Sequence, residues 1–118
     1  MIVHPDVAAN DEHTDVGREA EGLLRDELAG EVQFDDYTRH LFARDASMYS
    51  ITPLGVVFPR HEDDVVATVR VAHELGVVVI PRGAGTSLAG QTVGPGIVVD
   101  FSRHMNRIVD IDPEARTA

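Results

Sequence analysis

The fold is decided by the stretch VVVIPRGAGTSLAGQTVGPGIVVDF, which occupies residues 77–101. It begins with a continuous β-branched run at residues 77–80, and such a run is typical of a strand that is buried on both faces. A loop with five glycines follows at residues 81–96, and the apolar run at 97–101 predicts another strand. The order of strand, glycine-rich loop and strand predicts an α/β fold whose loop lies at the carboxyl end of a buried strand, where open α/β sheets bind their ligands.

The pattern extends in both directions from this stretch. Residues 54–58 predict a short strand, and residues 61–75 predict a helix because acids fill its first turn and apolar residues recur at helical spacing. The residues expected on the buried face of this helix are Val65, Val66, Val69 and Ala72. A further strand is predicted at residues 108–111. The strand at 54–58, the helix and the strand at 77–80 predict a right-handed βαβ unit, and the strands at 97–101 and 108–111 follow it.

The part of the chain before this unit divides into a tail and a helical segment. Residues 1–16 are acidic and aperiodic, which predicts a flexible tail. Residues 17–50 predict an N-terminal helical segment with two apolar stripes. The stripes comprise Ala20, Leu23, Leu24 and Leu28 in the first helix and Phe34, Tyr37, Leu41 and Phe42 in the second. Residues 51–118 then form the α/β unit, and the helices are expected to cover its sheet or to link domains.

The composition argues against several classes of function. The chain has 20 acids against 10 bases, all of them arginine, for a formal net charge of −10. Nucleic acids and anionic lipid surfaces are bound through clustered Lys and Arg, so neither is an expected partner. Salt adaptation and a GC-rich genome both account for so acidic a composition, and the two can hold together. The absence of cysteine excludes disulfides, thiolate metal sites and cysteine-ligated iron–sulfur clusters within this chain.

No catalytic or metal-binding residue is assigned. The six histidines show no metal-binding spacing, and the acids of His61-Glu62-Asp63-Asp64 suit the N-terminus of a helix without a metal. The sequence has no apolar window long enough for a membrane-spanning helix and no secretory signal. A cytoplasmic protein is therefore expected.

The loop at residues 81–92 has the composition of a diphosphate cradle. A diphosphate needs several N–H donors that point to one place, and a chain that curls to supply them needs residues that tolerate positive φ. The glycines in this loop are Gly83, Gly85 and Gly90. The side chains that add donors are those of Arg82, Thr86 and Ser87. The arginine could pair with a phosphate or with a nearby carboxylate.

Two common phosphate-binding loops fit this sequence poorly. The Rossmann fingerprint requires glycine at the sixth position, where Leu88 stands when the count starts at Gly83. A Walker A loop requires lysine where Gln91 stands. Both also place a helix directly after the loop, and residues 94–96 (Gly-Pro-Gly) leave no room for one. The loop itself would therefore hold the phosphates. A Walker-like nucleotide-binding module and a non-catalytic chain with a vestigial loop remain as alternatives.

One known family holds a diphosphate with a glycine-rich loop that no helix follows. The run PRGAGTSLAG at residues 81–90 resembles the pyrophosphate loop of FAD-linked oxidases of the vanillyl-alcohol oxidase type, which carry a PCMH-type FAD-binding domain. The runs PLGVVFP at 53–59 and GIVVDFSRHMNRI at 96–108 fit the same family, as does the helix that starts near Glu62. The resemblance covers about residues 35–118. It is nearest to the D-lactate dehydrogenase and glycolate oxidase FAD subunit group.

The resemblance implies an FAD-dependent oxidoreductase that oxidises a 2-hydroxy acid such as D-lactate or glycolate. Carried over position by position, it predicts that one set of loop residues contacts the FAD diphosphate. These residues are Arg82, Gly83, Ala84, Gly85, Thr86, Ser87, Gly90 and Gln91. Relatives with covalent flavin often have histidine at the position of Thr86, so non-covalent FAD is expected.

The resemblance also implies parts of the protein beyond this chain. Members of the family have a second α/β half and then a substrate-binding cap domain, so we expect the 118 residues to be a truncated first subdomain. Alone they are expected to bind FAD weakly and to catalyse nothing. An iron–sulfur electron-transfer partner or fused domain is also implied, with a location at the inner face of the membrane through such partners. Asp45 and Ser47 lie in a segment that often precedes the first strand of the family, and local turn capping accounts for them.

Overall fold

The computed structural model describes residues 7–118, with side chains from Asp15 onward. The elements in chain order are α1 (Val7–Glu27), β1 (Glu31–Gln33), α2 (Asp36–Leu41), β2 (Gly55–Phe58), α3 (Glu62–Glu74), β3 (Val79–Arg82) and β4 (Ile97–Asp100). The strands form one sheet in the order β1-β2-β4-β3, in which β1 runs antiparallel to β2 while β2 and β3 run parallel to β4. The predicted α/β class is confirmed.

The sheet has an apolar layer on each face. The two central strands, β2 and β4, are buried along their whole length, because side chains that alternate along a strand serve both layers. Helices α1 and α3 contribute to the larger layer. Its buried residues are Ala20, Leu24, Val32, Leu54, Val57, Val71, Ala72 and Ile97. The smaller layer on the opposite face contains Val56, Phe58, Ile80 and Val98, with Phe42 packed against them.

Helix α3 occupies almost the predicted range, but of its predicted buried face only Ala72 is fully buried. Val66 and Val69 are 60% and 48% exposed, so the prediction of their burial is wrong. The buried residues of the helix are Asp64, Thr68, Val71 and Ala72. Two polar residues can face the core because Thr68 donates its hydroxyl hydrogen to the Asp64 backbone carbonyl and the Asp64 carboxylate accepts backbone N–H groups. Polar residues can be buried when their hydrogen bonds are made, and hydrophobic periodicity alone predicts only the apolar residues to be buried.

The N-terminal segment is more regular than predicted. Helix α1 begins at Val7, so residues 7–16, which were predicted to be aperiodic, are helical, and residues 1–6 of the predicted tail lie outside the described residues. Once Ala20 and Leu24 anchor the helix on the core, each added turn needs no new nucleation. Neither α1 nor any other helix of residues 7–118 has the length and apolar character needed to cross a bilayer.

Residues 28–50 contain a strand that the sequence patterns do not indicate. Strand β1 has only three residues, too few to show a period, and it is defined by its pairing with β2. The second predicted helix is also shorter, because Asp35 caps α2 by accepting the N–H of Thr38 at 2.9 Å. Its expected apolar face does not pack as one surface, since Tyr37 and Leu41 are exposed while Phe42 joins the core.

Two strand predictions are also corrected. The strand predicted at residues 77–80 is β3, which begins two residues later and lies at the edge of the sheet. Val78 is consequently 56% exposed rather than buried on both faces. Residues 108–111 form no strand, and Val109 is 97% exposed. A strand forms where a neighbour pairs with its backbone, and no other strand within residues 7–118 lies beside these residues.

Candidate functional site

The candidate site is the loop at residues 81–92, which we call the diphosphate loop. It leaves the carboxyl end of β3, and the parallel strand β4 ends beside it because Arg82 pairs with Asp100. Ligands of open α/β sheets bind at this end of the strands. No helix lies between the loop and Ile97, where β4 begins. Any anion that binds here is therefore held by the loop itself, and the helix that a Walker-type loop needs is absent from this position.

The backbone of the loop presents a row of donors. Six consecutive N–H groups, those of residues 83–88, donate to no acceptor anywhere in residues 7–118. Most of these residues are exposed, so their N–H groups are open to an acceptor from outside the chain. A run of successive unpaired N–H groups in a curled backbone forms a concave site for anions. This row is the feature of the loop that most directly indicates a ligand.

Two glycines give the loop its curl. Gly85 has a φ of +70° and Gly90 a φ of +80°, a region that other residues rarely adopt. The third glycine of the motif differs from the prediction, because Gly83 does not have a positive φ. A Cβ atom built at Gly83 would meet no atom within 4 Å. The fold therefore gives no reason for a glycine at position 83, whereas a ligand lying against the backbone would give one.

The side chain of Arg82 supports the loop from within the protein. Its guanidinium carbon lies 5.0 Å from the centre of the Phe42 ring, and its Nη1 donates to the Thr92 carbonyl at 3.3 Å. A Cβ atom at Gly85 would lie only 2.4 Å from the Arg82 Nη2 atom, so the guanidinium packs directly beneath the curl. Arg82 makes no ion pair with a carboxylate of the described residues. One of its predicted roles, pairing with a carboxylate, is thus absent, and its charge faces the underside of the loop.

Hydrogen bonds close the second half of the loop. The Ser87 hydroxyl oxygen accepts the backbone N–H of Gln91 at 3.2 Å, and its hydrogen is directed to the Gln91 amide oxygen. The prediction that this hydroxyl donates to a ligand therefore competes with a bond inside the loop. Thr86 is exposed and its hydroxyl has no bond to any residue of the described part. Thr86 and the N–H row thus remain open to a ligand.

The electrostatics of the loop suit an anion. Residues 83–92 carry no charged side chain, although the chain as a whole has a net charge of −10. The neighbouring carboxylate of Asp100 is turned to its own strand end, where it accepts the N–H and the hydroxyl of Ser102 at 2.8 and 2.6 Å. The local field therefore comes from backbone N–H dipoles and the Arg82 charge, a combination that favours a group with several negative oxygens.

Comparison with protein families matches residues 53–118 to a family described as an FAD binding domain. The match includes the whole diphosphate loop and three of the four strands. The chain belongs to this family. The cofactor expected from the loop, FAD, is thereby supported, and so is the resemblance to FAD-linked oxidases. The unpaired N–H groups and the glycine curl of the loop lie within the matched residues.

The curated relatives of this chain are much longer than the chain itself. The chain is 42% identical over 102 residues to a D-2-hydroxyglutarate dehydrogenase of Pseudomonas putida, covering 81% of this chain and 10% of the relative. It is 36% identical over 97 residues to the glycolate oxidase subunit GlcD of Bacillus subtilis, covering 78% of this chain and 20% of the relative. The chain thus spans about a tenth to a fifth of the length of these relatives.

Solved structures confirm the fold. The 4-ethylphenol oxidase of Gulosibacter chungangensis superposes with a TM-score of 0.65 at 17% identity, over 85% of this chain and 21% of the oxidase. The xylooligosaccharide oxidase of Myceliophthora thermophila gives a TM-score of 0.62 at 24% identity, over 82% of this chain and 21% of that enzyme. The same fold thus occurs in proteins of distant sequence.

Proposed function

We propose that this chain is the diphosphate-holding part of the FAD-binding domain of an oxidoreductase. The row of unpaired N–H groups at residues 83–88 is the observation that carries the proposal. These amides would hold the diphosphate oxygens together with residues that flank the row. The flanking residues are Arg82, Gly90 and Gln91. Bound FAD supplies the redox chemistry by accepting two electrons from the substrate. The chain's own contribution is to bind and orient the cofactor.

We further propose that the whole protein oxidises a 2-hydroxy acid. The support comes from its relatives, since two of the curated enzymes that it matches are named for D-2-hydroxyglutarate and glycolate. An iron–sulfur electron-transfer partner, which the absence of cysteine would place outside this chain, and a cytoplasmic location belong to the same proposal. Turnover of a panel of 2-hydroxy acids by the full-length protein, with an artificial electron acceptor, tests the substrate class. Activity on none of them would contradict it.

Replacing Gly83 by alanine tests whether the diphosphate lies against the loop. The methyl group enters open space and causes no backbone strain, so the stability of the apo protein is expected to stay unchanged. A ligand in contact with this backbone would be pushed away, and we expect FAD affinity to fall about tenfold, which corresponds to about 1.4 kcal/mol. Titration of the full-length apo protein with FAD, followed by flavin fluorescence, measures the change.

Gly22→Ala is the matched control for that variant. An alanine methyl at Gly22 also meets no atom within 4 Å, but the residue lies in α1, away from the loop. Its FAD affinity should equal that of the wild type. If Gly83→Ala also leaves the affinity unchanged, the diphosphate does not lie where we propose. If the wild-type protein binds no FAD, the proposed function itself is wrong.

We also propose that FAD is bound without a covalent link to the loop. A covalent link needs a nucleophilic side chain such as histidine or cysteine, and residues 81–92 contain neither. Precipitation of the full-length protein with acid should release all flavin colour into the supernatant. Yellow colour that stays with the protein pellet would contradict this prediction.

A further inference from the structure

A segment outside the diphosphate loop is packed against it. Residues 44–50, which we call the brace, connect α2 to β2, and a bridge between Arg44 and Ser50 closes the segment at its base. The backbone N–H of Ile51 adds a bond of 2.9 Å to the Ala43 carbonyl. The brace is therefore a turn that is closed at its base.

The brace contacts the loop at three places. The backbone N–H of Ala46 donates to the Gly85 carbonyl at 3.0 Å. The Thr92 hydroxyl donates to Asp45 Oδ2 at 3.0 Å. The ring of Tyr49 lies behind Gly90, where an added Cβ atom would come within 2.8 Å of its Cδ2 atom. The brace thus reaches both glycines of positive φ and the end of the loop.

Asp45 is the side chain that joins the two segments. Its Oδ1 atom accepts the N–H of Ser47 at 2.8 Å, which fixes the turn of the brace, while Oδ2 accepts from Thr92. The hydrogen bonds from Ser47 lower the pKa of Asp45, partial burial opposes them, and Thr92 adds to the lowering, so the group is a carboxylate at neutral pH. A carboxylate would repel a diphosphate, and here its oxygens are directed to donors instead. Thr92 in turn gives its hydrogen to Asp45 rather than to a ligand.

We infer that Asp45 is a positioning residue for FAD binding, which acts through Thr92 to hold the diphosphate loop in its binding shape. The inference rests on the proposed function of the loop. The physical reason is preorganisation. A loop that is already curled loses less conformational freedom when it binds a ligand, so bonds that fix its shape raise affinity without touching the ligand. The Asp45 bond secures the end of the loop, and the Ala46 bond secures its middle.

A double-mutant cycle tests the inference in the full-length apo protein. The variants are Asp45→Ala, Thr92→Val and the double variant, with FAD affinity and apo thermal unfolding as the two measurements. We expect each single variant to lose about tenfold in affinity, and the double variant to lose no more than the worse single one, because all three break the same bond. Asp45→Asn keeps an acceptor oxygen and should restore most of the affinity. The melting temperature of the apo protein should change little.

Asp63→Ala is the control, since Asp63 is an exposed acid in the first turn of α3, outside the loop and the brace. Three results would overturn the inference while leaving the proposed function intact: wild-type affinity in Asp45→Ala, additive losses in the double variant, or a lowered melting temperature with unchanged affinity. Failure of the wild-type protein to bind FAD would instead reject the proposed function on which the inference rests.

Discussion

Replacing Gly85 by alanine is expected to lower FAD affinity by about a hundredfold, which corresponds to about 2.7 kcal/mol. Two effects add. The φ of +70° costs a residue with a Cβ atom about 1–2 kcal/mol. The new methyl group would also lie 2.4 Å from Arg82 Nη2, so the guanidinium must leave its place over the Phe42 ring. A loop that relaxes to relieve both effects no longer points its N–H groups at one place.

Gly76→Ala is a closely matched control for this prediction. Gly76 has a φ of +66°, nearly that of Gly85, but a Cβ atom there would meet no atom within 4 Å. It ends α3, away from the diphosphate loop. This variant should lose about 1–2 kcal/mol of stability and retain wild-type FAD affinity in titrations of the full-length protein. Equal loss of affinity in both variants would mean that general destabilisation, rather than the shape of the loop, determines binding.

Replacing Asp64 by alanine is expected to cost about 3 kcal/mol of folding stability, because a carboxylate that is 2% exposed then leaves three backbone donors without a partner. Its Oδ1 atom accepts the N–H of Ala29, and its Oδ2 atom accepts those of Gly30 and Arg60, all at 2.9 Å. Asp64 thus joins the turn before β1 to the start of α3. Asp64→Asn keeps the shape but one oxygen becomes an NH₂ donor, so an intermediate loss of about 2 kcal/mol is expected.

The folding stability is also expected to depend on pH through the Asp64 carboxylate. Burial raises the pKa of Asp64, but the N–H groups of Arg60, Ala29 and Gly30 and the nearby His61 together outweigh it, and the net pKa is lowered. A lowered pKa in the folded state means that the stabilisation is fully present above the unfolded pKa of about 3.9 and is lost as the pH falls through the folded value. The stability advantage of wild type over Asp64→Asn should therefore shrink below about pH 4.

Thermal unfolding of the full-length apo protein, measured from about pH 3 to pH 7, checks both predictions. Hydrogen–deuterium exchange of peptides that cover residues 28–34 gives a local measurement, because the N–H groups of Ala29 and Gly30 lose their acceptor in the variant. Asp63→Ala, at an exposed position of the same turn, should show neither change. Exchange at residues 28–34 equal to that of the wild type would show that these N–H groups stay protected without the carboxylate and that the expected loss is too large.

The local pattern of the sequence determined the fold class of this protein and the position of its candidate site. The α/β class, the range of α3 to within a residue at each end, and the position of the loop between two strands all follow from neighbouring residues. The reason is that glycine and β-branched residues influence the backbone conformation at their own positions, so their effect can be recognised from the local sequence. FAD as the cofactor followed from the same stretch through its resemblance to a family, which the match of residues 53–118 confirms.

Only the tertiary structure decided which groups meet. Asp64 binds N–H groups 34 and 35 residues away, and Asp45 binds Thr92 across 47 residues. The tertiary structure also placed β3 at the edge of the sheet, which exposes Val78. It left residues 108–111 without a neighbouring strand among the described residues. A periodic pattern reports that a segment has an apolar stripe. The pattern does not show which distant N–H group will donate to a polar side chain. Nor does it show which strand will lie between two others, because both depend on how the whole chain packs.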